Sequence, residues 1–223
     1  VNTRAMTQGL LNRSERYFIR VEEAGINHFA YFHFPTSSVA IAGALTATQP
    51  SVQGFTAILD TSLGRGVALA LFNMGALVSD HVTGKRPIVV LLPGIMGSNL
   101  YHGDDCIWLD FPELNKGGIL KYLKIDGAGI AAKSVVQKYY HRFKEDLISE
   151  YDVVILPFDW RLAVDDIASE VNKKMESLLV HQQPVYLVSH SMGGLVARAW
   201  KQQFPATWQA FTALPRAKWI MLG

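Results

Sequence analysis

The sequence predicts an α/β fold, a mainly parallel sheet with flanking helices, preceded by a small β-rich N-terminal segment. Three observations carry this reading. Largely apolar runs at Ile88–Leu92, at 151–156 apart from Asp152, and at Val185–Val188 have the composition of strands buried on both faces. Between them lie stretches with helical spacing, one through Tyr139, Tyr140, Phe143, Leu147 and Ile148, the next through Ile167, Val171, Met175, Leu178 and Leu179. The last run stops at Ser191 and restarts with helical spacing through Leu195, Val196 and Ala199, which reads as strand, tight turn, helix.

The whole chain bounds the answer first. Its 223 residues, 49% of them hydrophobic, suffice for one sizeable core and a small second domain. A formal charge of +2 without a dense Lys/Arg run argues against nucleic acid as a partner. The single Cys106 forms no internal disulfide, and no Cys/His spacing suggests a metal, so neither metal nor cofactor is expected. The least charged early stretch, 66–78, is shorter than the roughly 20 residues that cross a bilayer as a helix. No secretory leader is readable at the start, but the chain opens on Val1 rather than Met, which leaves localisation open. Oligomeric state is equally open.

Residues 1–84 read as a β-rich N-terminal segment or small accessory domain. Strand-like runs fall at 17–21, 28–34, 38–45 and 55–59, while 66–78 suits a helix equally well. Two roles stand side by side: binding a partner or ligand, or covering the first strands of the following sheet. His28, His33 and His81 in this segment receive no catalytic role. Lys85, Arg86 and Pro87 mark the boundary, and 85–223 forms the second unit.

Directly after the strand at Ile88–Leu92 comes Pro93-Gly94-Ile95-Met96-Gly97-Ser98, a glycine-flanked loop at a strand's carboxyl end. In a doubly wound sheet such loops converge on one crevice, so this one is expected beside Ser191. Backbone N–H groups of Ile95 or Met96, with that of Met192 at the helix start, then form an oxyanion hole. Losing one such donor costs on the order of 3 kcal/mol in barrier. Small residues at Ser189, Gly193 and Gly194 permit a cramped turn that lifts the Ser191 hydroxyl to the helix N-terminus. The plainer reading of the same serine is a helix N-cap.

From 101 to 132, Trp108, Leu109, Phe111, Leu114, Leu120, Tyr122 and Leu123 are mixed with glycines without a clean period. A lid over the crevice and an ordinary helix and loop are both open there. Ser134 and Gln137 have capping-box spacing ahead of the next helix. The strand at 151–156 delivers Phe158, Asp159, Trp160 and Arg161 to the same edge. Asp159 and Arg161 are expected to pair or to hold the loop; for Trp160 and Trp108, lining a substrate pocket and a purely structural role are both open. Asp165 and Asp166 head the following helix, where carboxylates favour the positive end. Pro205 breaks the pattern after the elbow helix, and 219–222 begins a further strand.

Val90-Leu91-Leu92-Pro93-Gly94-Ile95-Met96-Gly97-Ser98, Leu156-Pro157-Phe158-Asp159-Trp160-Arg161 and Ser189-His190-Ser191-Met192-Gly193-Gly194, in that order, resemble motifs of the lecithin:cholesterol acyltransferase-like family of α/β-hydrolases. The resemblance covers about residues 87–223 and leaves the β-rich start aside. It implies a partial α/β-hydrolase fold and serine-dependent esterase, phospholipase, lipase or O-acyltransferase chemistry, with Ser191 carrying the acyl group to water or an alcohol. The implied partner is a lipid or other ester substrate, with peripheral contact to a lipid surface. In this fold the order is serine, acid, histidine, and no Asp, Glu or His follows Ser191. The expectation is a chain truncated after the elbow region, nearly inactive alone, whose triad acid and histidine come after Gly223. His190, inside the turn, is expected to pack beneath it. Two other classes are carried along: a non-catalytic binding or regulatory protein on a degenerate hydrolase fold, and a serine esterase for soluble esters.

Overall fold

The computed structural model describes residues 76–79, 82–108, 123–125 and 127–223. The expected strands at 17–59, most of the ambiguous 66–78 stretch, His28, His33, His81 and the greater part of the expected lid lie outside the described residues. Eight strands are described: β1 (Ala76–Leu77), β2 (Ile88–Leu92), β3 (Ser98–His102), β4 (Asp105–Trp108), β5 (Ile130–Val136), β6 (Asp152–Ile155), β7 (Val185–His190) and β8 (Lys218–Leu222). Four helices join them: α1 (Gln137–Leu147), α2 (Val164–Leu179), α3 (Met192–Gln203) and α4 (Pro205–Ala213). The class is α/β.

Strands β6, β2, β7 and β8 lie in that order in one parallel sheet. Every residue of β2, β6 and β7 is buried, which is why their sequences are continuous apolar runs rather than alternating ones. The pleat still divides them. Ile88, Val90 and Leu92 face a core shared with Ile167, Val171, Met175, Val196, Trp200 and Phe211, so α2, α3 and α4 cover this side. Val89 and Leu91 face Tyr140, Phe143 and Leu147 of α1 on the other. Helices on opposite faces follow from chain direction: β2 leads leftward through α1 to β6, whereas β7 leads rightward through α3 and α4 to β8. The connections therefore diverge between β2 and β7, and the crevice of an open parallel sheet belongs at their carboxyl ends.

A second, antiparallel sheet has the order β1, β5, β3, β4. It grows from the loop after β2 and carries register shifts at Asn99/Leu100 and Leu100/Tyr101. Its polar residues are interlocked inside: Asn99 Nδ2 donates to Ser134 Oγ at 2.9 Å and to the Val135 carbonyl at 3.2 Å. Ser134 is thus a strand residue, and the capping box expected of it does not form. Helix α1 starts on Val136 with no side-chain cap.

Ser79, Thr83 and Arg86 tie the chain ahead of β2 to the parallel sheet's edge at β6. Ser79 Oγ donates to the Ile155 carbonyl and accepts from the Ile155 N–H, each at 2.9 Å. Asp152, wholly buried at the start of β6, accepts from the Thr83 N–H at 2.8 Å and the Thr83 hydroxyl at 2.9 Å, and pairs with Arg86 at 2.7 Å. Burial pushes this carboxyl up, but the Thr83 bonds and the Arg86 guanidinium outweigh it and hold the group below its ordinary value.

The expected second helix is present with Asp165 and Asp166 in its first turn and all five expected apolar residues buried. In α3 the buried stripe is Gly193, Gly194, Val196, Ala197 and Trp200, while Leu195 is exposed. The three-residue apolar pattern assigned one position too many to the core. Pro205 ends α3 by starting α4, where its missing N–H costs nothing in the first turn.

Candidate active site

Ser191 stands between β7 and α3 with φ 51° and ψ −119°, a backbone conformation costly for a residue with a side chain. Its surroundings enforce this. The Ser191 N–H donates to the Leu222 carbonyl at 2.7 Å, and the Ser191 carbonyl accepts from the Gly194 N–H at 2.9 Å. Gly193 lets the turn close on β2: a Cβ there would lie 2.6 Å from the Leu92 carbonyl oxygen and 2.7 Å from that of Pro93. Both are backbone atoms, so neither can move aside. Ser191 makes no side-chain cap to α3, which removes the plain N-cap reading. Its position at the helix N-terminus puts it in positive potential.

The turn after β2 lies directly against this corner. A Cβ on Gly94 would sit 3.1 Å from Ser191 Cβ and 2.9 Å from His190 Nδ1, so only glycine lets the two segments approach this closely. Gly97 N–H donates to the Gly94 carbonyl at 3.0 Å, closing the turn, with Met96 at φ 59° in its third position as in a type II turn. Ile95 and Met96 are 45% and 43% exposed. Among the described residues none accepts a hydrogen bond from the amides of Ile95 or Met96, and Met192 is the first residue of α3, where helical amides have no intrahelical acceptor. The structure therefore brings the Ile95–Met96 segment and the Ser191–Met192 corner to one edge, as the loop positions in a doubly wound sheet require.

The loop after β6 braces the same turn. Phe158 N–H donates to Ser98 Oγ at 3.1 Å and Trp160 Nε1 to the Ser98 carbonyl at 3.2 Å. Trp108 Nε1 donates to the Met96 carbonyl at 3.0 Å, and the Trp108 and Trp160 rings meet edge to face with centroids 5.1 Å apart. Asp159 is occupied by Arg161 at 2.6 Å, and Arg161 Nη1 reaches the Lys124 carbonyl at 2.5 Å. That pair holds the loop.

Beneath the turn, His190 is buried with its ring edge to face against Tyr140, and its Nδ1 is 3.1 Å from the Tyr140 hydroxyl. Tyr140 also accepts the Gly94 N–H at 2.9 Å. Complete burial pushes the Tyr140 phenol far above its ordinary value, so it stays protonated. Its sequence position gave only a core-facing helix residue. Tyr139 carries a hydroxyl on the same stripe, so nothing in the sequence singles Tyr140 out. Ser189, buried at the end of β7, accepts from Trp219 Nε1 at 2.9 Å and ties the corner to β8.

Among the described residues, no group of His, Cys, Asp and Glu is arranged to hold a metal ion. No helix there is long and apolar enough to cross a membrane.

Residues 122–210 match the family model described as Lecithin:cholesterol acyltransferase. The match takes in the loop at 157–161 and the Ser191 corner, covers less than half of the chain, and begins downstream of the turn at 93–98. No curated protein and no solved structure matches the chain.

Proposed function

From the premise that this chain is a member of an LCAT-like lipase/acyltransferase family, we propose that it is a serine-dependent lipid esterase or O-acyltransferase on an α/β-hydrolase fold. The observation that carries the proposal is Ser191 itself, held at a strained corner between a buried parallel strand and a helix N-terminus, against the turn that follows the neighbouring strand.

In this mechanism Ser191 Oγ attacks an ester carbonyl while its proton passes to a general base, a histidine in the family pattern. The carbonyl oxygen takes up the negative charge and is met by the N–H of Met192 and by that of Ile95 or Met96. Collapse expels the alcohol, which takes the proton from the base, and leaves an acyl group on Ser191. Water or a second alcohol then attacks the acyl-enzyme and restores the serine. Trp160 and Trp108 line the acyl side. A lipid substrate agrees with the apolar rim: Ile95, Met96, Leu195 and Met221 all stand exposed on the segments that form this edge.

The test uses the natural gene product with p-nitrophenyl esters of increasing chain length in mixed micelles. Hydrolysis should favour long chains, a fluorophosphonate should label Ser191, and Ser191→Ala should remove labelling and lower kcat by at least about 10³-fold. Full-rate hydrolysis by Ser191→Ala would falsify the assignment.

A further inference from the structure

The Tyr140 side chain touches both halves of the candidate site. It sits in α1, on the face buried with Phe143 and Leu147 against β2, where a phenylalanine would pack equally well. A buried hydroxyl is costly without partners. Here its partners come from the two segments that form the site. The Gly94 N–H donates to Tyr140 Oη at 2.9 Å, and Oη lies 3.1 Å from Nδ1 of His190, the residue next to Ser191. The hydroxyl is wedged inside the turn, since a Cβ on Gly97 would come within 2.6 Å of it.

We propose that Tyr140 is a positioning residue that fixes the Gly94–Gly97 turn relative to the Ser191 corner, and so sets where the Ile95 and Met96 amides lie with respect to the serine. The geometry supplies the reason. Binding the Gly94 N–H fixes the peptide plane between Pro93 and Gly94, and the Gly97 N–H to Gly94 carbonyl bond carries that orientation through Ile95 and Met96. The contact to His190 references the turn to β7 rather than to α1 alone. An oxyanion donor works only when aimed beforehand at the charge that develops. The catalytic part of this proposal rests on the acyl-transfer reading above; the tether itself does not.

Tyr140→Phe removes one oxygen and keeps the ring. In the natural gene product it should lower kcat for an ester roughly 10- to 100-fold with KM within about twofold of wild type, the pattern of an interaction used in the transition state. Amide hydrogen exchange at Gly94 and Gly97, the bonded amides of the turn, should quicken at least about tenfold while β2 and β7 keep their protection. Tyr151→Phe, which removes a hydroxyl from the same core beside the start of β6 and away from the turn, should change neither. Unaltered exchange at Gly94 and Gly97 in Tyr140→Phe overturns the tether whatever the activity does. Faster exchange with unchanged kcat overturns the positioning role, as does an equal effect from Tyr151→Phe. If the wild type hydrolyses no ester and Ser191 takes no label, the acyl-transfer reading fails and the catalytic role falls with it, while the exchange measurement still decides the tether.

Discussion

The two sheets differ in how they are held. In the parallel sheet, β2, β6 and β7 are buried throughout, and their stability comes from apolar layers on both faces. In the antiparallel sheet, β5 alternates between half-buried and exposed residues before its last three become buried, β4 buries only Ile107 fully, and the interior is pinned by Asn99 and Ser134. One sheet is a scaffold filled by packing; the other is shaped by directed polar bonds and register shifts. The candidate site lies where they meet, because the turn at 94–97 leaves the first and enters the second. A packed sheet can hold Ser191 in an unfavourable conformation, and a bonded sheet can aim a short turn at it.

That contrast can be broken by measuring where truncation costs most. Trp200 is fully buried in α3, its indole N–H on Asn172 Oδ1 at 3.0 Å and its ring against Trp208 and Phe211. Trp200→Ala should lose about 3–5 kcal/mol in urea unfolding. A loss below 1 kcal/mol would mean that the helical layer does not carry the parallel sheet.

A smaller effect is expected at that sheet's edge. The Asp152 carboxyl lies below its ordinary value when folded, so its contribution is complete above the unfolded value near about pH 4 and disappears as pH falls through the folded one. Asp152→Asn should cost about 1–3 kcal/mol at pH 7. It should also flatten the loss of stability below about pH 4, read from urea midpoints at successive pH values. An undiminished acid slope in the variant would place the titration elsewhere.

The smallest change belongs to the antiparallel sheet. Asn99→Ala removes the bonds to Ser134 and Val135 and should cost about 1 kcal/mol. It should leave exchange protection in β2 and β7 intact. Loss comparable to that of Trp200→Ala would show that the polar interior, rather than the packed one, holds the molecule together.

The same contrast explains what was legible in the sequence. Ile88–Leu92, Asp152–Ile155 and Val185–His190 announce themselves because a doubly buried strand admits almost nothing but apolar side chains. Ser191 was legible because its corner needs small neighbours, and Gly193 and Gly94 are short for a measurable reason. Residues 98–108 and 130–136 gave no period, since register shifts interrupt alternation and their buried polar groups look like surface in a linear text. Ser134 has the spacing of a cap, yet its hydroxyl is taken by Asn99 across the sheet. Leu195 has helical spacing too, but it falls on the side of α3 away from the sheet. Tyr140 was read for its ring alone, because a hydroxyl's partners are loops distant in sequence.

Of the four described non-glycine residues with positive φ, two lie on the turn and the corner that form the candidate site: Met96 at 59° and Ser191 at 51°. A strained backbone of this kind costs on the order of 1–3 kcal/mol per residue, and glycine would remove most of the cost at either place. The corner and the turn are thus the parts of the fold that a search for stability alone would rewrite first. A variant library selected only for heat resistance should drift toward glycine at 191 and 96, while one selected for a working hydroxyl has to keep the serine and accept a less stable chain.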